Sequence, residues 1–317
     1  MAESDQGLGS EKPPQGGGHG QAGHVSVLLK EAIDFLAIRR GGTYIDATLG
    51  LGGHSYEIAR RLGPQGRLIG FDKDPQALGI AQRRLSSPSE EIRAGWPQIT
   101  LVHASFAELG QRISPASADG ILADLGLSSM QLENASRGFS FQAEGPLDMR
   151  MDPHNERTAD QVVNRMREDD LANVIYEFGE ERRSRRIARA IVRARPIRTT
   201  AHLAQVLSAA LRPMKSAHSA IHPATRTFQA IRIFVNRELE DLEELLKAAP
   251  AALKPEGRLV VISFHSLEDR LVKDALRAGA QQGLYRILTK KPVTASGEEI
   301  DRNPRSRSAK LRAAEKI

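Results

Sequence analysis

Cysteine is absent from this 317-residue chain. That excludes a disulfide framework and any thiolate metal site. No apolar run approaches the roughly 20 residues needed to span a bilayer, so a cytoplasmic protein is expected. Residues 1–23 contain no apolar stretch of the kind a secretory signal needs. They are rich in Gly, Gln and Ser and read as a disordered tail. They also lack Arg, which argues against a targeting helix. No internal repeat is evident.

Acid is missing where base is densest. The net charge is only +6, with a pI near 9.7. Yet Arg182, Arg183, Arg185, Arg186, Arg189, Arg193, Arg195 and Arg198 follow one another with no acid among them. The stretch from Arg302 to Lys316 is basic as well. Clustered Arg suggests contacts with nucleic-acid phosphates. A solvated helix face, or pairing with Glu177, Glu180 and Glu181, is the plainer alternative.

What the chain does have is organised around Tyr44-Ile-Asp-Ala-Thr-Leu-Gly-Leu-Gly-Gly-His-Ser55. Tyr44, Ile45 and Ala47 predict a buried strand. Ile58, Ala59 and Leu62 fall on one face of a following helix, with Ser55 as its N-cap and Gly63-Pro64 as its stop. The glycines therefore sit on a strand-to-helix turn, where the backbone can approach a ligand closely. A second strand, Arg67 to Phe71, ends in Asp72, placed to accept hydrogen bonds from ribose hydroxyls. An ordinary strand–helix turn would also carry glycines, but the ordered set of strand, glycines, helix, strand and acid points to a nucleoside site. A full Gly-x-Gly-x-x-Gly is lacking, and Asp46 and Thr48 lie beside the loop. An acid there suits a cationic ligand better than a pyrophosphate. S-adenosylmethionine is favoured, with NAD the lesser option.

The rest of the chain fits an open, mainly parallel α/β sheet. Val25 to Ile38 predicts an amphipathic helix. Pro75 to Leu85 predicts another, with Asp74 as N-cap and Pro75 at its first position. Ser86 to Pro97 reads as a loop. Ile99 to His103 and Gly120 to Asp124 read as the third and fourth strands. Gly52, Asp72, Phe106 and Asp124 thus lie at four carboxyl ends of strands, where such sheets bind ligands. From Thr158 to Leu211 the periodicity is helical throughout, which predicts an insert of two to four helices. One long helix is expected over 227–248, a turn at Lys254–Gly257, a central strand over Arg258–Phe264, and two final edge strands over Tyr285–Thr289 and Ser308–Arg312. The expected division is a tail (1–23), a first part of the sheet domain (24–130), a helical, substrate-binding insert (131–225) and a second part of the sheet domain (226–317).

Long motifs carry a resemblance. Asp46-Ala-Thr-Leu-Gly-Leu-Gly-Gly-His54, Ala123-Asp-Leu-Gly-Leu-Ser-Ser129, Arg137-Gly-Phe-Ser-Phe141, Gly145-Pro-Leu-Asp-Met-Arg-Met-Asp152, His222-Pro-Ala-Thr-Arg-Thr-Phe-Gln-Ala230 and Ile262-Ser-Phe-His-Ser-Leu-Glu-Asp-Arg270 are the clearest blocks. From about His24 to the C-terminus the chain resembles the small-subunit rRNA cytosine-N4 methyltransferase H family, also called MraW. The resemblance implies a class I, Rossmann-like methyltransferase domain with an inserted all-helical domain. It implies S-adenosylmethionine held by Gly52, Gly53, His54, Asp72, Phe106, Asp124 and Gln131. It implies methylation of the exocyclic N4 of a cytidine in the decoding region of 16S rRNA. The partner would be that rRNA within the small ribosomal subunit, with monomer or homodimer left open.

The chemistry adds further expectations. Cytosine N4 is a weak nucleophile because its lone pair is delocalised into the ring. Alignment and a hydrogen-bond acceptor can help it, and no covalent nucleophile is needed. Asp124 can serve the cofactor, the base or both, while His265, after the strongest strand, is either near the base or structural. Asp148 and Asp152 could pair on a metal, but the interleaved Met and Arg favour an internally paired loop, and no metal is expected. Phe139 and Phe141 could stack on a flipped base or simply fill a core.

Overall fold

The computed structural model describes residues 26–211 and 222–317. The tail expected over 1–23 lies outside the described residues. Strands and helices first alternate as α1 (Leu29–Leu36), β1 (Thr43–Asp46), α2 (Gly53–Leu62), β2 (Arg67–Asp72) and α3 (Pro75–Ser86). Next come α4 (Glu90–Arg93), β3 (Gln98–His103), α5 (Leu109–Arg112) and β4 (Ala118–Asp124). Only helices follow: α6 (Ser129–Glu133), α7 (Ala159–Arg165), α8 (Glu168–Gly179), α9 (Ser184–Ala194), α10 (Thr200–Leu211), α11 (Thr225–Asn236) and α12 (Glu238–Ala252). The chain then returns through β5 (Leu253–Ser263), α13 (Ser266–Gln281), β6 (Tyr285–Ile287), α14 (Gly297–Arg302) and β7 (Lys310–Lys316).

The seven strands form one sheet in the order β3-β2-β1-β4-β5-β7-β6. The first five run parallel, and β7 is antiparallel to both β5 and β6. Side chains alternate across the sheet, as the pleat requires. Ile121 and Ala123 join Ile45, Phe71 and Val261 beneath α12 and α13, with Leu242, Leu245 and Val272 above them. Leu122 points the other way, into a core with Tyr44, Leu68, Val260, Ile33 of α1 and Ile58 of α2. Helices thus cover both faces, the arrangement a parallel sheet needs. The strand order reverses between β1 and β4, which opens a crevice at their carboxyl ends.

A separate apolar core holds the helices of the insert. Leu171, Ile175, Ile187, Ile191, Leu203 and Leu207 pack together there, and Phe228, Ile231 and Val235 of α11 belong to the same cluster.

Several expectations need correction. The single helix over 227–248 is two helices, broken at Arg237, which adopts φ 54. Asn236 is held there by Met149 and Met151: its amide donates to the Met149 carbonyl, and its carbonyl accepts from the Met151 N–H. The second helix also runs past Pro250 to Ala252. Lys254–Gly257 lies within β5 rather than in a turn, at a register irregularity opposite Ala118 and Gly120. β7 is an interior strand, not an edge, because β6 pairs outside it. The loop expected over 86–97 contains the short α4.

Candidate active site

A cavity of about 480 Å³ opens at the carboxyl ends of β1, β2, β4 and β5. Thr48 to Leu51 line it after β1, Asp72 and Lys73 after β2, Asp124 to Ser129 after β4, and Phe264 and Glu268 after β5. Arg302 to Arg305 and Ser26–Val27 close it from outside. That size and concavity suit a ligand of cofactor size.

The glycine turn has two distinct jobs. Gly52 takes φ 76 as the N-cap of α2, and an added Cβ would press on Ala81 at 3.3 Å. It is not among the residues that line the cavity; its positive φ lets α2 start, and its bare Cα packs against α3. Gly53 does line it, and a Cβ there would meet Ser26 Oγ at 2.0 Å. Ser55 is not the N-cap. It lies inside α2, where its hydroxyl donates to Asp46 Oδ2 at 2.7 Å.

Three carboxylates gather at this end of the sheet. Asp72 accepts from the Gly50 N–H at 2.7 Å and from the Asp74 N–H at 2.8 Å. It thereby fixes the turn while keeping lone pairs for a ligand. Burial pushes Asp72 and Asp46 each up to about 6. Asp124 keeps 22% of its side chain open, and its Oδ2 lies 3.5 Å from His54 Nδ1. His54 Nε2 is within 3.0 Å of the Val27 carbonyl, which orients the ring. Asp124 Oδ1 is buried with no hydrogen-bond partner among the described residues. Burial first, then the nearby charges of Asp46 and Glu268, push the Asp124 carboxyl well above the usual range. Lys73 draws Asp72 down, but its ammonium is shared with Asp241 and the Asn236 carbonyl. Clustered acids held up in this way favour a cation among them. S-adenosylmethionine, with its ammonium and sulfonium, fits that donor set, and an anionic pyrophosphate does not.

Gln131 reaches the cavity through a buried polar node that the sequence did not reveal. Its amide donates to Asp74 Oδ2 at 2.9 Å, and its carbonyl accepts from the Ser128 N–H. Arg137 pairs with the same Asp74 oxygen at 2.8 Å and donates to the Arg150 and Met151 carbonyls. Asp74 is therefore both the N-cap of α3 and the anchor of the loop after β4. The node ties the insert's first loops to the sheet.

At the end of β5, His265 caps α13. Its Nδ1 accepts from the Glu268 N–H, and Glu268 Oε2 accepts from the Phe264 N–H at 2.8 Å. His265 does not line the cavity, whereas Glu268 does. The expected catalytic histidine thus serves as the N-cap of α13, its ring held by the Glu268 N–H. Glu238, His265 and Glu268 each bring a ligand atom within 4.8 Å of the others. Arg232, however, forms a two-pronged pair with Glu238 at 2.8 and 2.7 Å, which neutralises one of the acids.

Of the predicted residues, Gly53, His54, Asp72, Phe106, Asp124 and Gln131 converge on the cavity. Phe139 and Phe141 do not: Phe139 is buried in the insert's core, and Phe141 stacks on His222 and meets Phe228 edge-on. Asp148 pairs with Arg150, and Asp152 with His154, within their own loop. The residues missed were Thr48, Lys73, Glu238, Phe264 and Glu268. Thr48 accepts from the Asp124 N–H at 2.6 Å, and its place beside Asp46 was the available signal.

The basic stretch lies largely in the open. Arg182, Arg183, Arg185, Arg186, Arg189, Arg193 and Arg198 are exposed, while Ile187, Ala188 and Ile191 bury the other face of α9. Arg195 differs from the rest, donating to the Val163 and Met166 carbonyls. Arg183 pairs with Glu181 and Arg189 with Glu168, both loosely.

Comparison with known proteins places these features in a family. The MraW methylase family model matches residues 21–317. The ribosomal RNA small subunit methyltransferase H of Koribacter versatilis is 73% identical over 294 residues, covering 93% of this chain and 94% of that protein. The protein of the same name from Acidobacterium capsulatum is 64% identical over 293 residues, covering 92% and 98%. Among solved structures, an rRNA methylase from Streptococcus thermophilus is 14% identical, with a TM-score of 0.42 over 93% of this chain and 99% of that one.

Proposed function

The chain belongs to the MraW methylase family, and we propose that it methylates the exocyclic N4 of a cytidine in the decoding region of 16S rRNA, acting on the small ribosomal subunit in the cytoplasm. The observation that carries this reading is the Asp124 carboxylate, which lines the cavity with its Oδ1 unpaired among the described residues. Bound S-adenosylmethionine supplies a methyl group made electrophilic by the sulfonium.

The chain's own residues do the rest. Asp72 accepts from the ribose hydroxyls, using lone pairs left over from its bonds to Gly50 and Asp74. Asp46 and Asp124 supply negative potential for the cationic part of the cofactor. Gly53 and His54 shape the wall beside it, and Phe106 and Gln131 close the adenosine side. At N4, the Asp124 carboxylate, which lines the cavity and is 22% open, accepts a hydrogen of the amine and takes the proton that N4 sheds. A carboxyl held above its usual range makes a better base than a free one. The partial burial of that carboxylate keeps the hydrogen bond strong.

The insert serves as the RNA-binding unit. We place its end at Asn236, because α11 shares its core. The exposed arginines of α9 contact the RNA backbone. No step is assigned to a metal. The reading is tested by label transfer from S-adenosylmethionine into small subunits that lack the modification, compared with naked 16S rRNA. Transfer to the subunits is expected, and label in neither substrate would overturn it.

A further inference from the structure

One residue outside the cavity joins the insert to the helix that walls the cavity. Glu180 follows α8 in the left-handed conformation, with φ 47. Glycine is the usual occupant of that position after a helix, because it has no Cβ to strain. A glutamate kept there needs another reason, and strained backbone of this kind tends to persist where the surroundings use it.

Its side chain supplies one. Glu180 accepts from the Ser266 hydroxyl, and from Arg270 at 2.9 Å. Both partners lie in the first turns of α13, on either side of Glu268. Between them in the chain, Asp269 pairs with Arg312 of β7 at 2.6 Å. The start of α13 is therefore tied to the sheet by Asp269 and to the insert by Glu180. The Glu180 carbonyl meanwhile accepts from Arg226 of α11, and the arginine run begins two residues later.

We propose that Glu180 is a positioning residue for methyl transfer, setting the RNA-bearing insert in register with the cavity wall formed by Phe264 and Glu268. This rests on the reading of the insert as the RNA-binding unit. Global stability does not explain the tie. The carboxylate and Arg270 are 41% and 55% exposed, and pairs so open contribute little to folding. Misplacing a substrate by as little as about 1 Å, in contrast, can cost on the order of a hundredfold in rate.

Glu180→Gly separates the two roles, because it relieves the backbone while removing the tie. The expected result is a melting temperature equal to or above that of the parent and unchanged affinity for S-adenosylmethionine. Affinity for small subunits should change by no more than about threefold, while the single-turnover transfer rate at saturating subunits falls by about tenfold or more. The exchange Glu180→Arg with Arg270→Glu should recover part of the rate lost in either single variant. An unchanged rate in Glu180→Gly, measured beside an active parent enzyme, overturns the proposal. A rate loss that follows loss of melting temperature overturns it too. An inactive parent would instead count against the proposed function.

Discussion

The three acids around the cavity carry opposing duties, and their titration exposes this. Asp46 and Asp72 each titrate near 6 in the free protein, above the ordinary aspartate value. Between about pH 4 and 6 the folded chain therefore holds more protons than the unfolded one, and these groups cost it stability as pH rises through that window. A bound cation favours their ionised form. Cofactor binding near pH 6 should then release protons, and affinity should rise from pH 5 to 7. Calorimetry in two buffers of different ionisation enthalpy reads the release directly; proton uptake, or affinity that falls with pH, would contradict it. Asp72→Ala should weaken the cofactor by about 1–3 kcal/mol, the usual loss for charge-assisted hydrogen bonds. Unchanged affinity would remove Asp72 from the ribose site. Asp124→Asn keeps the shape and removes the charge. If the carboxylate meets N4, single-turnover transfer at saturating cofactor should drop far more than cofactor affinity does. A near-normal rate there would leave Asp124 as a cofactor residue only.

Elements were legible wherever a local pattern sufficed. The apolar runs ending in Asp72 and Asp124, the glycine turn and the helical periodicity of the insert are all short-range signals, and each matches its element. Long-range polar partners were not legible. Nothing near Arg237 marks a helix break, because the cause is the distant backbone of Met149 and Met151 gripping Asn236. The space a Cβ would need at Gly52 is taken by Ala81 of α3, a packing demand that the glycine pattern alone does not show. The helical periodicity over Thr158–Leu211 includes α9, but whether its arginines pair or project is decided by the fold. Because most project, converting Arg185, Arg186 and Arg189 to Gln should weaken RNA binding and flatten its salt dependence while cofactor affinity holds. An unchanged salt slope would return α9 to the role of a solvated face.

At the scale of the molecule, two cores meet around one cavity. The sheet supplies strand ends carrying acids, and the insert supplies the basic face. The buried Asp74–Arg137 pair, the Lys73–Asn236 bond and the Glu180 tie hold the two together. Among the described residues, no helix is long and apolar enough to cross a membrane. As proposed above, this assembly places a methyl group on one atom of one base. The most direct measurement digests the RNA of treated small subunits to nucleosides and identifies the methylated one by mass spectrometry. N4-methylcytidine is predicted. A methyl group on ring carbon 5 of cytidine, or on any other base, would contradict the account.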